Sequence, residues 1–113
     1  MARRSNKHEP LKRSSVVRFE GEIDLHVSPR MAEQLATVIA RKPKRVAADI
    51  SRVTYIDSSG LAVLIEAMQK VEKYGGRFAI VGMQETVRSV FEIARLDQVF
   101  RIFPDVEAAS VAT

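Results

Sequence analysis

The sequence has 113 residues, of which 46% are hydrophobic, so it is long enough for one domain with a buried core. It contains no cysteine, which excludes disulfides, thiolate zinc sites and cysteine nucleophiles. The net charge of +4 comes from the first 13 residues, because the basic and acidic side chains of the remainder balance. We therefore predict a basic, disordered N-terminal arm at 1–13 and a folded domain at 14–113.

The sequence indicates a cytoplasmic protein. No apolar run approaches the length of a membrane span, and the first residues lack the apolar core of a signal peptide. The charge of the arm would suit a nucleic acid or an acidic partner, but no aromatic side chain is interleaved with it. We therefore predict no direct nucleic-acid partner and no membrane partner.

Strand and helix patterns alternate along the chain. Short runs rich in apolar and β-branched residues predict strands at 14–20, 45–50, 78–81 and 99–103. Helical spacing of apolar residues predicts helices from Ser28 for about a dozen residues, from Ser58 to about Tyr74, over 84–94 and over 105–112. Residues 21–27 are predicted to form a loop, and a short polar link follows Ile50. Such alternation predicts an α/β domain with a mixed or mostly parallel sheet.

Two helices carry boundary signals. Ser28 followed by Pro29 predicts a capping hydroxyl with proline at the first helical position. In the helix that begins at Ser58, either Asp57 or Ser58 is expected to accept hydrogen bonds from the first-turn amides. Gly60 costs about 1 kcal/mol there relative to alanine, which suggests that a close approach requires it. Apolar residues recur along one face of this helix: Leu61, Leu64, Ile65, Met68 and Val71.

The motif from Asp57 to Leu61, Asp-Ser-Ser-Gly-Leu, follows a predicted strand and opens a helix. With the upstream Gly-Glu-Ile-Asp ending at Asp24, the Gly75-Gly76 pair and the stretch 87–103, it resembles the STAS domain, specifically the bacterial anti-sigma factor antagonists. The resemblance covers roughly residues 14–106. It implies a mixed, mostly parallel sheet of four to five strands with about four helices packed against it. The family usually has a strand before residue 14, which polar and basic residues make short or absent here.

The resemblance also implies a function. An anti-sigma factor antagonist is a switch and not an enzyme: unphosphorylated, it binds an anti-sigma factor that is also an ATP-using serine kinase, and so releases a sigma factor. Phosphorylation turns the antagonist off, and a PP2C-type phosphatase resets it. The resemblance implies that the phosphorylated residue is Ser58, with Ser59 as the second choice. Asp57 would hold the loop and orient the hydroxyl. We expect no cofactor, and a monomer or weak dimer.

Residues that match or adjoin the motif are predicted to contact the partner: Asp24, Asp57, Ser59, Gly60, Ala62, Val63 and Glu66. Two alternatives stay open, since Asp24 is equally explained as a turn-forming residue and Ser58 as a simple helix cap. Val63 and Glu66 are predicted to point away from the apolar face of their helix. The family often has Gly-Leu-Gly at 60–62, and Ala62 departs from this, which would tune the choice of partner.

The sequence lacks the motifs typical of serine catalysis, metal binding and nucleotide binding. A serine nucleophile needs a base within hydrogen-bond reach, but His8 lies in the arm and His26 in a predicted loop. The carboxylates of Asp24, Asp49 and Asp57 are spread over three segments without metal-ligand spacing. No Gly-rich nucleotide motif is present. Two alternatives remain: a STAS subunit of a larger assembly, stressosome-like or lipid-transporting, that docks without a phosphorylation cycle, and, less favoured, a nucleotide-binding STAS module.

Overall fold

The computed structural model describes residues 14–112, so the predicted arm lies outside the described residues. The strands are β1 (Ser14–Ile23), β2 (Arg45–Ile56), β3 (Arg77–Val81) and β4 (Arg101–Phe103). The helices are α1 (Ser28–Ile39), α2 (Ser58–Lys73), α3 (Glu85–Ile93) and α4 (Val106–Val111), with a short 3-10 turn at Leu96–Gln98. Among these helices, none has the length and apolarity to span a bilayer.

The sheet confirms the predicted α/β fold. In the described part of the chain all four strands are parallel, and their order across the sheet follows the sequence, β1-β2-β3-β4. Crossovers of one hand place α1, α2 and α3 on the same face. The short helix α4 contacts β2, β3 and β4 and covers part of the other face. A strand before residue 14 would fall outside the described residues.

The main core lies between the sheet and the three connecting helices. Phe100 packs against Phe91 and Phe78, with ring centroids 5.8 Å and 6.2 Å apart. The core residues that are almost completely buried come from the sheet and from all three of these helices: Ile23, Met31, Leu35, Val46, Ala48, Ile50, Val53, Ile56, Leu64, Val71, Phe78, Ile80, Val87 and Phe91. Burial of this apolar surface fixes the register of the helices on the sheet.

Helix α2 has the predicted bounds. It starts at Ser58 and ends at Lys73, with Tyr74 as its C-cap. Gly75 then takes a left-handed conformation with φ +89°. Its N–H donates to the carbonyl of Glu72 at 3.0 Å, and the N–H of Gly76 donates to the carbonyl of Val71 at 2.9 Å. These two bonds form a Schellman motif, which turns the chain into β3.

Two strands are longer than predicted. β1 continues through the predicted loop to Ile23, and β2 continues through the predicted polar link to Ile56. The extensions pair with each other, from Glu20 beside Arg52 to Ile23 beside Ile56. One register shift precedes this stretch, between Arg18 and Glu20, and a second lies within it, between Gly21 and Glu22. Polar side chains are accommodated in the far half of β2 because β3 pairs with β2 only as far as Asp49. The β1–β2 pair therefore projects beyond the rest of the sheet and carries the start of α2.

Two other boundaries were predicted wrongly. Ser28 is not the cap of α1: it is buried as the first helical residue, and Val27 occupies the N-cap position without a side-chain hydrogen bond. The last strand does not begin at Val99, because the N–H groups of Val99 and Phe100 both donate to the carbonyl of Leu96. These bonds close a turn, so β4 begins only at Arg101.

Candidate functional site: an exposed serine at the start of α2

Helix α2 begins directly on the ends of β1 and β2. The N–H of Asp57 donates to the carbonyl of Ile23 at 3.1 Å. Gly60 is buried at the contact, where an added Cβ would lie 2.7 Å from Cγ1 of Ile56 and 2.8 Å from Cγ2 of Ile23. No larger residue fits without displacing buried side chains. Gly60 thus sets how closely the helix approaches the strands.

Asp57 is the N-cap of α2. Its Oδ1 atom accepts hydrogen bonds from the N–H of Ser59 at 2.9 Å and from the N–H of Gly60 at 3.2 Å. The same atom accepts a bond from the hydroxyl of Ser59 at 2.6 Å. Of the two capping residues that the sequence allowed, Asp57 is the one used. Three donors on one oxygen hold the first turn in a fixed geometry.

The hydrogen bonds also stabilise the charged form of this carboxyl. The Ser59 hydroxyl is the main cause, and with the amides of Gly60 and Ser59 it lowers the pKa of Asp57 below its ordinary value of 3.8, against a smaller opposing effect of desolvation. Asp57 is therefore a carboxylate at neutral pH. A negative charge at the N-terminus of a helix is also favoured by the helix dipole.

The two serines of the motif have different environments. Ser59 is half-buried, and its hydroxyl is held by Asp57. Ser58 is exposed, and its hydroxyl makes no hydrogen bond to any residue within 14–112. It is not a cap, and neither His26 nor any other base in this part of the chain activates it. Of the two serines, Ser58 has the more accessible hydroxyl.

Ser58 is the first of three exposed residues that form a ridge along α2. Ala62 and Glu66 follow it at intervals of four residues, so the three lie on one face of the helix, and each is exposed. Glu66 contacts Lys70 at 3.8 Å between the charged atoms, one further turn along. The ridge brings three predicted site residues onto one accessible surface.

The side chain of Val63 does not point in the direction that the sequence predicts. It is half-buried and packs against the core, where it lines a shallow furrow between α1 and α2 with Leu35 and Ile39. The pointing direction predicted for Val63 is therefore wrong, because α1 lies beside that face of α2. Its side chain is therefore only partly exposed.

Asp24 forms a turn between β1 and α1. Its Oδ1 atom accepts from the N–H of His26 at 3.0 Å and the N–H of Val27 at 3.2 Å, and its carbonyl accepts from the N–H of Ser28 at 2.8 Å. The turn-forming explanation is thus satisfied. The loop also lies at the site, since Asp24 follows Ile23, whose carbonyl binds the N–H of Asp57.

Comparison with known proteins gives the family. The sequence matches the STAS domain family over residues 6–109, most of its length. The chain belongs to the STAS domain family. The residues that build the start of α2 in this STAS domain are those of the Asp-Ser-Ser-Gly-Leu motif.

The STAS domain is similar to proteins named anti-sigma factor antagonists. The anti-sigma-F factor antagonist RsfB of Mycobacterium tuberculosis is 29% identical over 89 residues, which cover 79% of this chain and 72% of that protein. The crystal structure of an anti-sigma factor antagonist from Mycobacterium paratuberculosis superposes with a TM-score of 0.80 and 30% identity, covering 88% of this chain and 84% of that one. Unphosphorylated SpoIIAA, also an anti-sigma factor antagonist, gives a TM-score of 0.75 and 25% identity, covering 87% and 85%. Phosphorylated SpoIIAA of Bacillus gives 0.67 and 24%, covering 87% and 88%.

Three apolar residues close to the site in the sequence are exposed, which the sequence did not predict. In this STAS domain Leu25 is 71% exposed and Val27 is 39% exposed, both in the turn that Asp24 forms. Tyr55, three residues before Ser58, is 50% exposed. The one available signal was an isolated leucine between Asp24 and His26 in a polar stretch. Contiguous exposed apolar surface marks protein-binding sites, so these three side chains are candidate contacts for a partner.

Proposed function

We propose that this STAS domain is an anti-sigma factor antagonist that acts as a phosphorylation-controlled partner switch. Its unphosphorylated form binds an anti-sigma factor with serine kinase activity, which releases a sigma factor. The kinase uses ATP to phosphorylate Ser58, which ends the interaction, and a PP2C-type phosphatase restores the hydroxyl. The protein itself is the substrate of these enzymes and carries out no catalysis.

The contrast between the two serines supports this proposal most strongly. A kinase needs a hydroxyl that is exposed and free to enter its active site, and Ser58 has both properties. Using Ser59 would first require breaking the 2.6 Å hydrogen bond to Asp57. The similarity to proteins named anti-sigma factor antagonists supports the choice of partner.

The position of Ser58 allows a phosphate without loss of the fold. A phosphate adds about −1.5 to −2 charges and three acceptor oxygens. At the first position of α2 it would lie where the helix dipole favours negative charge. Inside an interface the same group must lose its water, which costs several kcal/mol unless the partner supplies a cation. Phosphorylation would therefore change binding far more than folding.

The partner would dock over the start of α2 and the adjoining turn. The ridge of Ser58, Ala62 and Glu66 is polar and small, so it offers little apolar area by itself. Leu25 and Tyr55 supply the large exposed side chains that usually carry most of the binding energy of an interface. Leu25 lies two residues after Ile23, whose carbonyl binds the N–H of Asp57, and Tyr55 lies three residues before Ser58. An interface that covers both would also cover Ser58, and a phosphate there would have to be desolvated.

A pull-down from native lysate tests the partner. Three baits are compared: the wild-type chain, Ser58→Ala and Ser58→Asp. We expect Ser58→Ala to capture an ATPase with serine kinase activity, because this variant keeps a neutral surface and cannot be phosphorylated. Ser58→Asp should capture at least about tenfold less of it, since the charge costs more than 1.4 kcal/mol.

The same experiment distinguishes the phosphorylation switch from the alternative, a docking subunit of a larger assembly. If all three baits capture one transporter or large assembly in equal amounts, the chain is a docking subunit without a phosphorylation cycle. Equal capture of the kinase by Ser58→Ala and Ser58→Asp would contradict the switch while keeping the partner.

A further inference from the structure

The pairing of β1 with β2 changes register twice in the stretch that leads to Ser58. At the first shift Ser51 has no register partner on β1, and at the second shift Thr54 has none. A β-bulge of this kind leaves the backbone of the extra residue without ladder hydrogen bonds and bends the strand. The missing bonds do not come from β3, because β3 pairs with β2 only as far as Asp49. The carbonyls at the two bulges therefore need partners from outside the sheet.

Two side chains at the start of α3 bind these two carbonyls. Nε2 of Gln84 donates to the carbonyl of Ser51 at 2.9 Å. The hydroxyl of Thr86 donates to the carbonyl of Thr54 at 3.3 Å. The bonded residues are 33 and 32 positions apart in the sequence. In this part of β2, side chains of α3 thus take the place of a neighbouring strand.

The start of α3 is itself held firmly in the fold. Gly82, in the turn before the helix, has φ +76°, and an added Cβ there would lie 2.7 Å from Cβ of Ser51. The N–H of Gly82 donates to the carbonyl of Phe103 at the end of β4, at 3.1 Å. Val87, in the first turn of α3, is completely buried in the core. Gln84 and Thr86 therefore extend from a fixed support.

The supported stretch of β2 carries the candidate site. It runs from Ser51 to Ile56, includes the exposed side chain of Tyr55, and leads directly into Asp57 and Ser58. Its other side pairs with the end of β1. Bulges commonly re-aim the residues that follow them, because they change the bend and twist of the strand. The bonds from α3 fix this bend, and with it the direction in which β2 enters the first turn of α2.

We infer that Gln84 and Thr86 are positioning residues for Ser58. By holding the two bulges of β2, they fix where the Ser58 hydroxyl lies relative to the surface that the partner contacts. The effect on phosphorylation rests on the function proposed above. Phosphoryl transfer requires the hydroxyl to lie about 3–3.5 Å from the atom it attacks, and a displacement of about 1 Å costs about 100-fold in rate. Both side chains act through the backbone of β2 and not on the reacting atoms.

A purely structural role for these bonds predicts a different result. Gln84 is the N-cap residue of α3, but its side chain makes no capping bond to that helix. If the two bonds only stabilised the domain, their loss would lower the melting temperature and leave phosphorylation of the folded protein unchanged. If they position Ser58, their loss should loosen residues 51–58 locally and slow phosphoryl transfer in the folded protein.

Three variants of the full chain separate these roles. Gln84→Met/Thr86→Val removes both donors and keeps the approximate size of the side chains. Thr86→Ser is the conservative variant, because it keeps the hydroxyl. Thr37→Val is the matched control, since the hydroxyl of Thr37 donates to the carbonyl of Glu33 at 3.0 Å within α1, away from β2.

Two properties are measured at a temperature at which thermal melts show every variant to be folded. The first is amide hydrogen exchange of residues 51–58, followed by NMR, which needs no partner. The second is the rate of phosphorylation by the kinase captured in the pull-down, measured over a range of substrate concentrations to give kcat and KM separately.

In Gln84→Met/Thr86→Val we expect exchange of the protected amides in 51–58 to rise at least about tenfold. We expect kcat to fall at least about tenfold and KM to change less than about threefold. Thr86→Ser and Thr37→Val should stay within about twofold of wild type in both measurements. Unchanged exchange at 51–58, an equal rise in Thr37→Val, or an unchanged kcat would overturn the inference. If the wild type is not phosphorylated, the proposed function fails instead, and the exchange measurement alone then decides the inference.

Discussion

Replacing Ser58 with aspartate is expected to weaken binding of the anti-sigma factor at least about 100-fold, which corresponds to about 2.7 kcal/mol. The loss follows from desolvation of a carboxylate in an interface that is matched to a neutral hydroxyl. The melting temperature should stay within about 2 °C of wild type, because a negative charge in the first turn of a helix costs little and is usually favourable. Calorimetric titration of the purified partner and a thermal melt give both values.

Ser110→Asp is a matched control for this substitution. Ser110 is also an exposed helical serine, but it lies on α4, far along the chain from the start of α2. The control should leave the affinity unchanged within about twofold. If Ser58→Asp lowers the melting temperature by more than about 5 °C and retains binding, the role of Ser58 is structural and the switch is wrong.

Replacing Asp57 with alanine is expected to lower the melting temperature by about 4–8 °C. The substitution removes the acceptor of three hydrogen bonds at the start of a 16-residue helix. It also frees the hydroxyl of Ser59, so a kinase should lose its discrimination between the two serines. Asp57→Asn should recover most of the melting temperature at neutral pH, because asparagine caps helices about as well.

A second cap substitution and a pH series test whether loss of the helix cap causes the lower melting temperature of Asp57→Ala. Asp105 caps the short helix α4 by accepting from the N–H of Ala108 at 2.8 Å, and Asp105→Ala should cost less because α4 has only six residues. The folded pKa of Asp57 is lowered, so its contribution to stability is present above 3.8 and is lost as the pH falls below that value. Asp57→Ala should lack this part of the acid destabilisation. An unchanged acid profile in this variant would show that the cap does not stabilise the fold.

The sequence predicted the elements whose signals are local. Helix α2 has a charged cap, an apolar stripe and a glycine pair at its end, so its bounds were correct. β3 is a short apolar run and the first half of β2 is largely apolar, and the alternation of strands and helices indicated a mixed or mostly parallel sheet. The motif at Asp57 located the candidate site because family resemblance and helix-capping chemistry agree there.

The sequence failed where tertiary contacts decide the outcome. The far half of β2 is polar at Ser51, Arg52 and Thr54, and it is a strand only because β1 pairs with it. Asp24, instead of Ser28, fixes the start of α1, since its side chain reaches across the turn to two amides. The preference for Ser58 over Ser59 came from the family resemblance, and the hydrogen bond that distinguishes the two hydroxyls forms only in the folded first turn.

The most direct test of the account is to map the phosphate after incubation of the chain with its captured kinase and ATP, by tandem mass spectrometry of the digested protein. The account predicts one phosphate, on Ser58, in both the wild type and Ser59→Ala, and none in Ser58→Ala. Phosphate on Ser59, or a stable complex with the kinase in which neither serine is modified, would contradict it.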